Sequence, residues 1–299
     1  MFDSGPIQHF SIKDLEHFSG IKAHTIRIWE QRYALLCPQR SDTNIRYYQN
    51  DDLKKLLNVS LLVEQGMRIS QIAEMSSEMM MKAVGEQLDD SGNQASVFHS
   101  LKLSMLNYDE MLFRQVSTGY MDKHGFKSLV LDIYLPFLSQ IGVLWLTNSV
   151  CPAQEHFVTN LIRQRIYVEI EAISSPASGR REVVIQFLPE REAHDVSLLF
   201  IHYLSLCHGY RSIYLGASIP FKDLLKVAEQ FPKARFVSYC TVYPSSANAQ
   251  AYVDLIDRHF DAKQNRFILA GKVFQDVKGT SVVRTGLDGA GLASELFPK

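Results

Sequence analysis

Between residues 10 and 75 the apolar positions recur at helical spacing in short stretches separated by polar turns. Ser11 heads the first stretch as an N-cap whose hydroxyl can take an orphan backbone amide, with Asp14 three residues on and Ile12 and Leu15 as its apolar side. Ser19-Gly20 ends that helix, and a second is predicted from Ala23 to Tyr33 with Ile26 and Trp29 at helical spacing. Two short helices across a Gly-containing turn make a helix-turn-helix candidate. After Pro38 comes the polar stretch Arg40-Ser41-Asp42-Thr43-Asn44, and Ile45-Arg46-Tyr47-Tyr48 then predicts a small hairpin or wing. Asn50 is expected to cap a third helix bearing Leu53, Leu56 and Leu57.

From Ser76 to Ser96 the pattern dissolves and ends in Asp89-Asp90-Ser91-Gly92-Asn93, which predicts a linker. Within it, the Met79-Met80-Met81 run reads as the flexible apolar filler of a helix face. Apolar residues then return at three and four spacing, from Leu101 and Met105 through Leu112, Val116, Leu129 and Ile133 to Ile141 and Leu144, predicting a bundle of about four helices. Ser174-Ser175-Pro176-Ala177-Ser178-Gly179 reads as a second linker. Beyond it, short apolar runs at 183–188, 212–215, 236–239, 267–269 and 282–283 alternate with amphipathic stretches. That alternation predicts a doubly wound parallel sheet, which takes ligands at the carboxyl ends of its strands. The expected fold class is multidomain α and α/β: a winged helix-turn-helix over 1–75, a linker over 76–97, a four-helix bundle over 98–175 and a Rossmann-like sheet over 182–299.

With 299 residues, 46% of them hydrophobic, the chain has material for several cores. Its 31 Lys and Arg against 32 Asp and Glu give no global attraction to nucleic acid, so any basic face is local. Such a face exists: Lys22, Arg27, Arg32, Arg40 and Arg46 stand against Glu30 and Asp42. Arginine offers a planar fork for phosphate oxygens and guanine edges, and Tyr33, Tyr47 and Tyr48 add phenolic hydroxyls. Four cysteines without a CxxC pair suggest neither a zinc site nor a disulfide framework. No 18-residue uninterrupted apolar window occurs, and the N-terminus lacks a basic n-region and an apolar h-region, so a cytoplasmic protein without a membrane partner is expected. No GxxxxGK[ST] stretch or spaced Ser/His/Asp set supports NTPase or hydrolase chemistry, and Gly289-Ala290-Gly291 reads as a C-terminal turn.

The order Thr25-Ile26-Arg27-Ile28-Trp29-Glu30-Gln31-Arg32-Tyr33, then Leu35-Leu36-Cys37-Pro38-Gln39-Arg40, then Asn44-Ile45-Arg46-Tyr47-Tyr48 and Asp51-Asp52-Leu53, resembles the MerR family of winged-helix regulators. The resemblance implies a double-stranded DNA operator as partner and binding as a dimer on two half-sites. It places Arg27 and Arg32 at the major groove or its phosphates, and Arg40, Asn44, Arg46 and Tyr47 in the wing. Trp29 would pack helix against wing. Lys22 stands where small capping residues are common in the family, so a less firmly capped recognition helix is expected.

A second constellation lies where a parallel sheet would bind its ligand. The first strand of the sheet runs into Glu190-Arg191-Glu192-Ala193-His194-Asp195-Val196-Ser197. The His194 imidazole can ligate a metal through one nitrogen while Glu192 accepts the proton of the other. Upstream, Trp145 is followed after nine residues by Glu155-His156, and downstream come Tyr214-Leu215-Gly216, Pro220, Ser238-x-Cys240-Thr241, Pro244-Ser245 and Leu269-Ala270-Gly271. This set resembles the cobalamin-binding unit shared by methionine synthase and the CarH/LitR class of MerR regulators. The resemblance implies adenosylcobalamin as cofactor and His194 as the lower cobalt ligand, with Glu192 behind it. Ser238 and the loop near Gly271 would line the dimethylbenzimidazole tail pocket. Trp145, Glu155 and His156 would cover the upper face, the Trp shielding the adenosyl group and the Glu accepting its ribose hydroxyls. Ser197 and Ala270 stand where the pattern has glycine, and a Cβ there costs close approach to the tail. Leu146 follows the Trp, so a photoproduct with histidine on both cobalt faces would draw on another imidazole such as His156.

The expected function is a sequence-specific transcription regulator, a repressor rather than an enzyme, whose homodimeric or homotetrameric state and DNA binding respond to cobalamin and to light. The alternatives are a cofactor-free regulator of the same fold controlled by a protein partner, and a corrinoid methyl-transfer protein.

Overall fold

Residues 9–41, 44–88, 93–146, 150–173 and 182–297 are described by the computed structural model. They fall into two compact units, Met1–Leu161 and Ile162–Lys299. The tip at 89–92, wing residues Asp42 and Thr43, and the predicted second linker lie outside the described residues.

In the first unit, α1 (Ile12–Ser19) opens with a capping box between Ser11 and Asp14 and stops at Gly20, which adopts φ 74°. That left-handed conformation suits glycine. α2 (Ala23–Tyr33) has the predicted bounds, and a short hairpin follows, β1 (Gln39–Arg40) antiparallel to β2 (Arg46–Tyr47). α3 (Asn50–Glu64) begins one residue earlier than predicted: Gln49 is its N-cap, with its amide bound to the Asp52 carboxylate at 2.9 Å. Asn50 is therefore the first helical residue and not the cap.

The linker predicted over 76–97 contains regular structure. After α4 (Ile69–Ala73), α5 occupies Ser77–Leu88, and α6 (Gln94–Asn107) starts on Asn93, whose side chain accepts the Ala95 amide. Met80 and Val84, one turn apart on α5, are buried while Met79 and Met81 are exposed, so the methionine run is a helix face packed on α3. Asn58 of α3 lies between α5 and α6: its Nδ2 donates to Met81 Sδ at 3.7 Å, and its Oδ1 is 3.2 Å from His99 Nε2. Three residues beyond His99, Lys102 Nζ donates to the last-turn carbonyl of Phe18 in α1 at 2.7 Å. The helix-turn-helix region and α6 are thereby joined through buried polar contacts.

α6 and α7 (Glu110–His124) pack with a long helix made of α8 (Phe126–Ser128), a π-helical stretch Leu129–Tyr134, and α9 (Leu135–Leu146). Leu101, Met105, Phe113, Leu129, Ile133, Phe137 and Ile141 are buried there, and Phe113 stacks on Tyr134 at 5.8 Å. The Phe126–Leu144 segment is the one helix among the described residues long and apolar enough to cross a membrane. Leu129, Val130, Ile133, Phe137, Ile141 and Leu144 of this segment are buried, whereas Leu131 and Val143 are exposed. α10 (Pro152–Glu171) completes the set of four helical segments predicted from the spacing.

In the second unit, β3 (Val183–Pro189), α11 (Val196–Cys207), β4 (Arg211–Ile219), α12 (Phe221–Gln230), β5 (Arg235–Tyr239), α13 (Ala249–His259), β6 (Arg266–Ala270), β7 (Val283–Arg284) and α14 (Gly289–Leu296) alternate. All strand pairs are parallel, in the order β4-β3-β5-β6-β7. Neighbouring strand residues alternate between faces. Ile185, Phe236 and Phe267 meet α12 and α13 on one side, whereas Val184, Val237 and Ile268 meet Ile201 of α11 and Leu292 and Leu296 of α14 on the other. The Gly289-Ala290-Gly291 stretch is the start of α14, capped by Asp288, and not a C-terminal turn. The order reverses between β3 and β5, which makes their carboxyl ends the crevice where doubly wound sheets bind ligands.

Burial, followed by the neighbouring Lys102 charge, holds the His99 imidazole at about 4, below its ordinary 6.5. The unfolded chain therefore takes up the proton first as pH falls, so this contribution to stability is lost between pH 6.5 and 4. His99→Gln, which keeps a donor toward Asn58, should flatten that limb. Urea titrations at pH 7 and 4.5 should show the wild type losing on the order of 2 kcal/mol more than the variant.

Candidate functional site

The exposed face of α2 and its hairpin carries the predicted DNA-contacting set. Arg27, Arg32, Arg40, Asn44 and Arg46 are exposed and Tyr47 is half-buried. Arg27 and Arg32 are five residues apart, about 140° around the helix, so α2 directs them to different sides. In the wing, Asn44 adopts φ 62°, a conformation its short polar side chain tolerates, and its Oδ1 accepts from Arg40 Nη1 at 2.6 Å. Tyr47 OH donates to Gln39 Oε1 at 2.6 Å across the hairpin.

Glu30 ties α2 to the wing. Its carboxylate accepts from Tyr48 OH at 2.6 Å and lies 3.5 Å from Arg46 Nη1. Tyr48 is fully buried, and its hydroxyl is held above the usual phenol range by that burial and by the bond to Glu30. It is a core residue and not a phosphate contact, which corrects the sequence reading. Trp29 is buried.

The start of α2 also differs from expectation. Lys22 makes no side-chain cap, but Glu16 on α1 reaches across the turn. Its carboxylate accepts from Lys22 Nζ and from the Ala23 amide, both at 3.0 Å. Those two bonds, the lysine's first, lower the Glu16 carboxyl below its usual range. The recognition helix is capped from the preceding helix, seven residues away, which a search for a local N-cap does not find.

At the sheet, the loop leaving β3 turns through Arg191, a non-glycine residue at φ 74°. Its amide donates to Ser218 Oγ at 3.1 Å, and the Ser218 amide to the Glu192 carbonyl at 3.1 Å. Glu192 has no exposed surface. Its Oε2 accepts from the backbone amides of Thr241, Val242 and Tyr243 at 3.0, 2.6 and 2.8 Å, in the loop leaving β5. Its Oε1 accepts from the His194 amide at 3.0 Å and faces His194 Nδ1 at 2.5 Å. Burial alone would raise this carboxyl, but the bonds from the His194 ring and from the Tyr243, Val242 and His194 amides outweigh it and bring it to about 2. A carboxylate so held keeps the proton on Nδ1, leaving Nε2 as the nitrogen with a metal ligand's lone pair. The His194 side chain is about half exposed. This donor set fits a histidine that would hold a cobalt ion.

Ser238 is fully buried on β5, with Oγ 3.3 Å from Cys240 Sγ. Gly271 follows β6 at φ 97°, where a Cβ would come within 2.3 Å of the Cys240 carbonyl oxygen. Ala270 is fully buried in the cluster with Ile201, Leu292 and Leu296, and Ser197 lies one turn before Ile201 on α11. Both departures from glycine thus fall on the α11 and α14 side of the sheet.

In the first unit, Trp145 lies in the last turn of α9, and Glu155 and His156 lie in the first turns of α10. Glu155 accepts from Thr159 Oγ1 at 3.1 Å and lies 3.4 Å from His156 Nε2, whose side chain is largely exposed. The sequence reading missed the Thr241–Tyr243 amides, Ser218, and Asp195, whose partners lie on α10 and β4.

Residues 10–79 match the model of the MerR HTH family regulatory proteins, and residues 97–168 match that of the B12 binding domain. The chain thus joins a MerR-type helix-turn-helix domain to a B12-binding domain. It is similar to the HTH-type transcriptional repressor CarH of Myxococcus xanthus, 26% identical over 256 residues that make up 83% of each chain. It is also similar to the repressor CarA of the same organism, 28% identical over 70% of this chain and 68% of that one. Among solved structures, the monomethylamine corrinoid protein of Methanosarcina barkeri shares the fold at a TM-score of 0.50 and 10% identity, covering 69% of this chain and 92% of that one.

Gly271→Ala combines a left-handed backbone with a backbone clash and should destabilise the second unit by about 2 kcal/mol or more. Thermal unfolding, followed beside Gly289→Ala, where an added Cβ meets nothing within 4 Å, checks this.

Proposed function

We propose that the chain is a DNA-binding transcriptional repressor whose hold on its operator is set by cobalamin. One observation carries the reading: a buried carboxylate holds a histidine at the switch point of a parallel sheet, in a chain that also holds a MerR-type domain. Arg27 and Arg32 face the major groove or its phosphates, and Arg40, Asn44, Arg46 and Tyr47 form the wing. His194 would hold the cobalt through Nε2, and Glu192 fixes the tautomer and direction of that imidazole. Ser238 and Gly271 would hold the cofactor's tail, and Trp145, Glu155 and His156 would shield its upper group. Adenosylcobalamin is the form this arrangement suits, and when bound it supplies a cobalt–carbon bond that light breaks. The protein acts in the cytoplasm as a homodimer or homotetramer, and its output is occupancy of DNA rather than turnover.

A second reading keeps the DNA function and drops the cofactor, leaving control to a protein partner. It is favoured by Ala270, whose methyl is packed among Ile201, Leu292 and Leu296.

The test measures affinity for a DNA fragment selected from a genomic pool, without cofactor, with adenosylcobalamin in the dark, and after illumination. The regulator reading predicts a change of about 5- to 150-fold between states. Equal affinity in all three states contradicts it.

Arg27→Gln and Arg32→Gln separate their roles through salt dependence. Loss of a phosphate contact at either residue should lower the slope of log K against log salt by about 0.9, whereas loss of a base contact should relax sequence preference instead.

A further inference from the structure

Asp195 directly follows His194, and both of its carboxylate oxygens are taken. Arg163 Nε of α10 donates to Oδ1 at 2.7 Å, and Tyr214 OH of the edge strand β4 donates to Oδ2 at 3.0 Å. The Asp195 and Arg163 side chains are 14% and 28% exposed, so the pair is largely shielded from water. Tyr167, one turn beyond Arg163, also senses the Asp195 charge.

Asp195 occupies the N-cap of α11, where a carboxylate ordinarily accepts an amide of the first turn, yet it makes no such bond. That cap is forgone, and the side chain turns to α10 and β4 instead. His194 therefore lies between two anchored carboxylates with different partners. Glu192 binds it to the loop after β5, and Asp195 binds it to α10. The same helix carries Glu155 and His156, eight and seven residues before Arg163.

We propose that Asp195 is the positioning residue of His194: its clamp on Arg163 and Tyr214 makes α10 and the His194 loop move together, so a shift of α10 changes axial ligation and a change of ligation is felt along α10. The ligation half rests on the cobalamin reading, and the clamp itself does not.

The experiment uses the full chain with Arg163→Gln, Asp195→Asn and the conservative Arg163→Lys. Without cofactor, hydrogen exchange should quicken about 10-fold at the amides of 194–199 and of 163–170 in Arg163→Gln, with those of Thr241 to Tyr243 unchanged. Exchange at wild-type rates in both segments overturns the clamp. With hydroxocobalamin reduced to the cobalt(II) state, the electron paramagnetic resonance spectrum reports the axial nitrogen as a triplet splitting. Arg163→Gln should retain corrin but lose most of the triplet and about 10-fold in affinity, and Arg163→Lys should restore most of both. A full triplet in Arg163→Gln overturns the positioning role. A wild-type protein with no axial nitrogen overturns the cobalamin reading and with it the ligation half, and the exchange result then decides the clamp alone. Should Arg163→Gln fail to fold, Tyr214→Phe removes one bond, keeps the ion pair, and should show the same changes at reduced size; wild-type behaviour there overturns the proposal.

Discussion

Glu192 is fully removed from water and still charged, because five hydrogen bonds converge on it, three from the amides of Thr241 to Tyr243 and two from His194. An isolated buried carboxylate would neutralise, whereas one that accepts several backbone amides is stabilised as the anion. The same group closes the crevice between β3 and β5 and fixes which His194 nitrogen carries the proton. Taking it away would leave three strand-end amides unsatisfied and the imidazole unoriented. Sheet topology, loop shape and ligand chemistry all meet at this residue.

Much of this was legible because the relevant signals are local. The bounds of α2, the Ser11 cap, the wing and the five parallel strands follow from periodicity and turn residues within a few positions of each other. The Glu-x-His spacing likewise pointed to a ligand pair at the strand end. What escaped were contacts that join distant residues. Glu16 caps α2 from the preceding helix, Tyr48 turns inward to Glu30, and Asp195 leaves its own helix for Arg163, thirty-two residues away. α5 escaped for another reason: one buried face, Met80 and Val84, is too little apolar signal beside the polar tip that follows it.

The helices α5 and α6 within 76–97 alter the mechanical picture of the first unit. α3 of the helix-turn-helix region meets α5 and α6 through Asn58, Met81 and His99, while Lys102 holds the end of α1. Buried polar groups of this kind are costly unless every partner is in place, so they select one packing arrangement over its neighbours. A change in the bundle that shifts α6 is therefore transmitted directly to the helices that present Arg27 and the wing. This gives the proposed control of DNA binding a physical route that an irregular tether lacks.

Ligation of cobalt by the proposed ligand His194 is read optically. The full chain and His194→Ala are incubated in the dark with adenosylcobalamin, desalted, and their visible absorption recorded. The wild type should show near-stoichiometric corrin absorbance, with the spectrum of a histidine-ligated form that is lost or converted to the base-off form in His194→Ala. A colourless wild type, or an identical spectrum in both proteins, would contradict it.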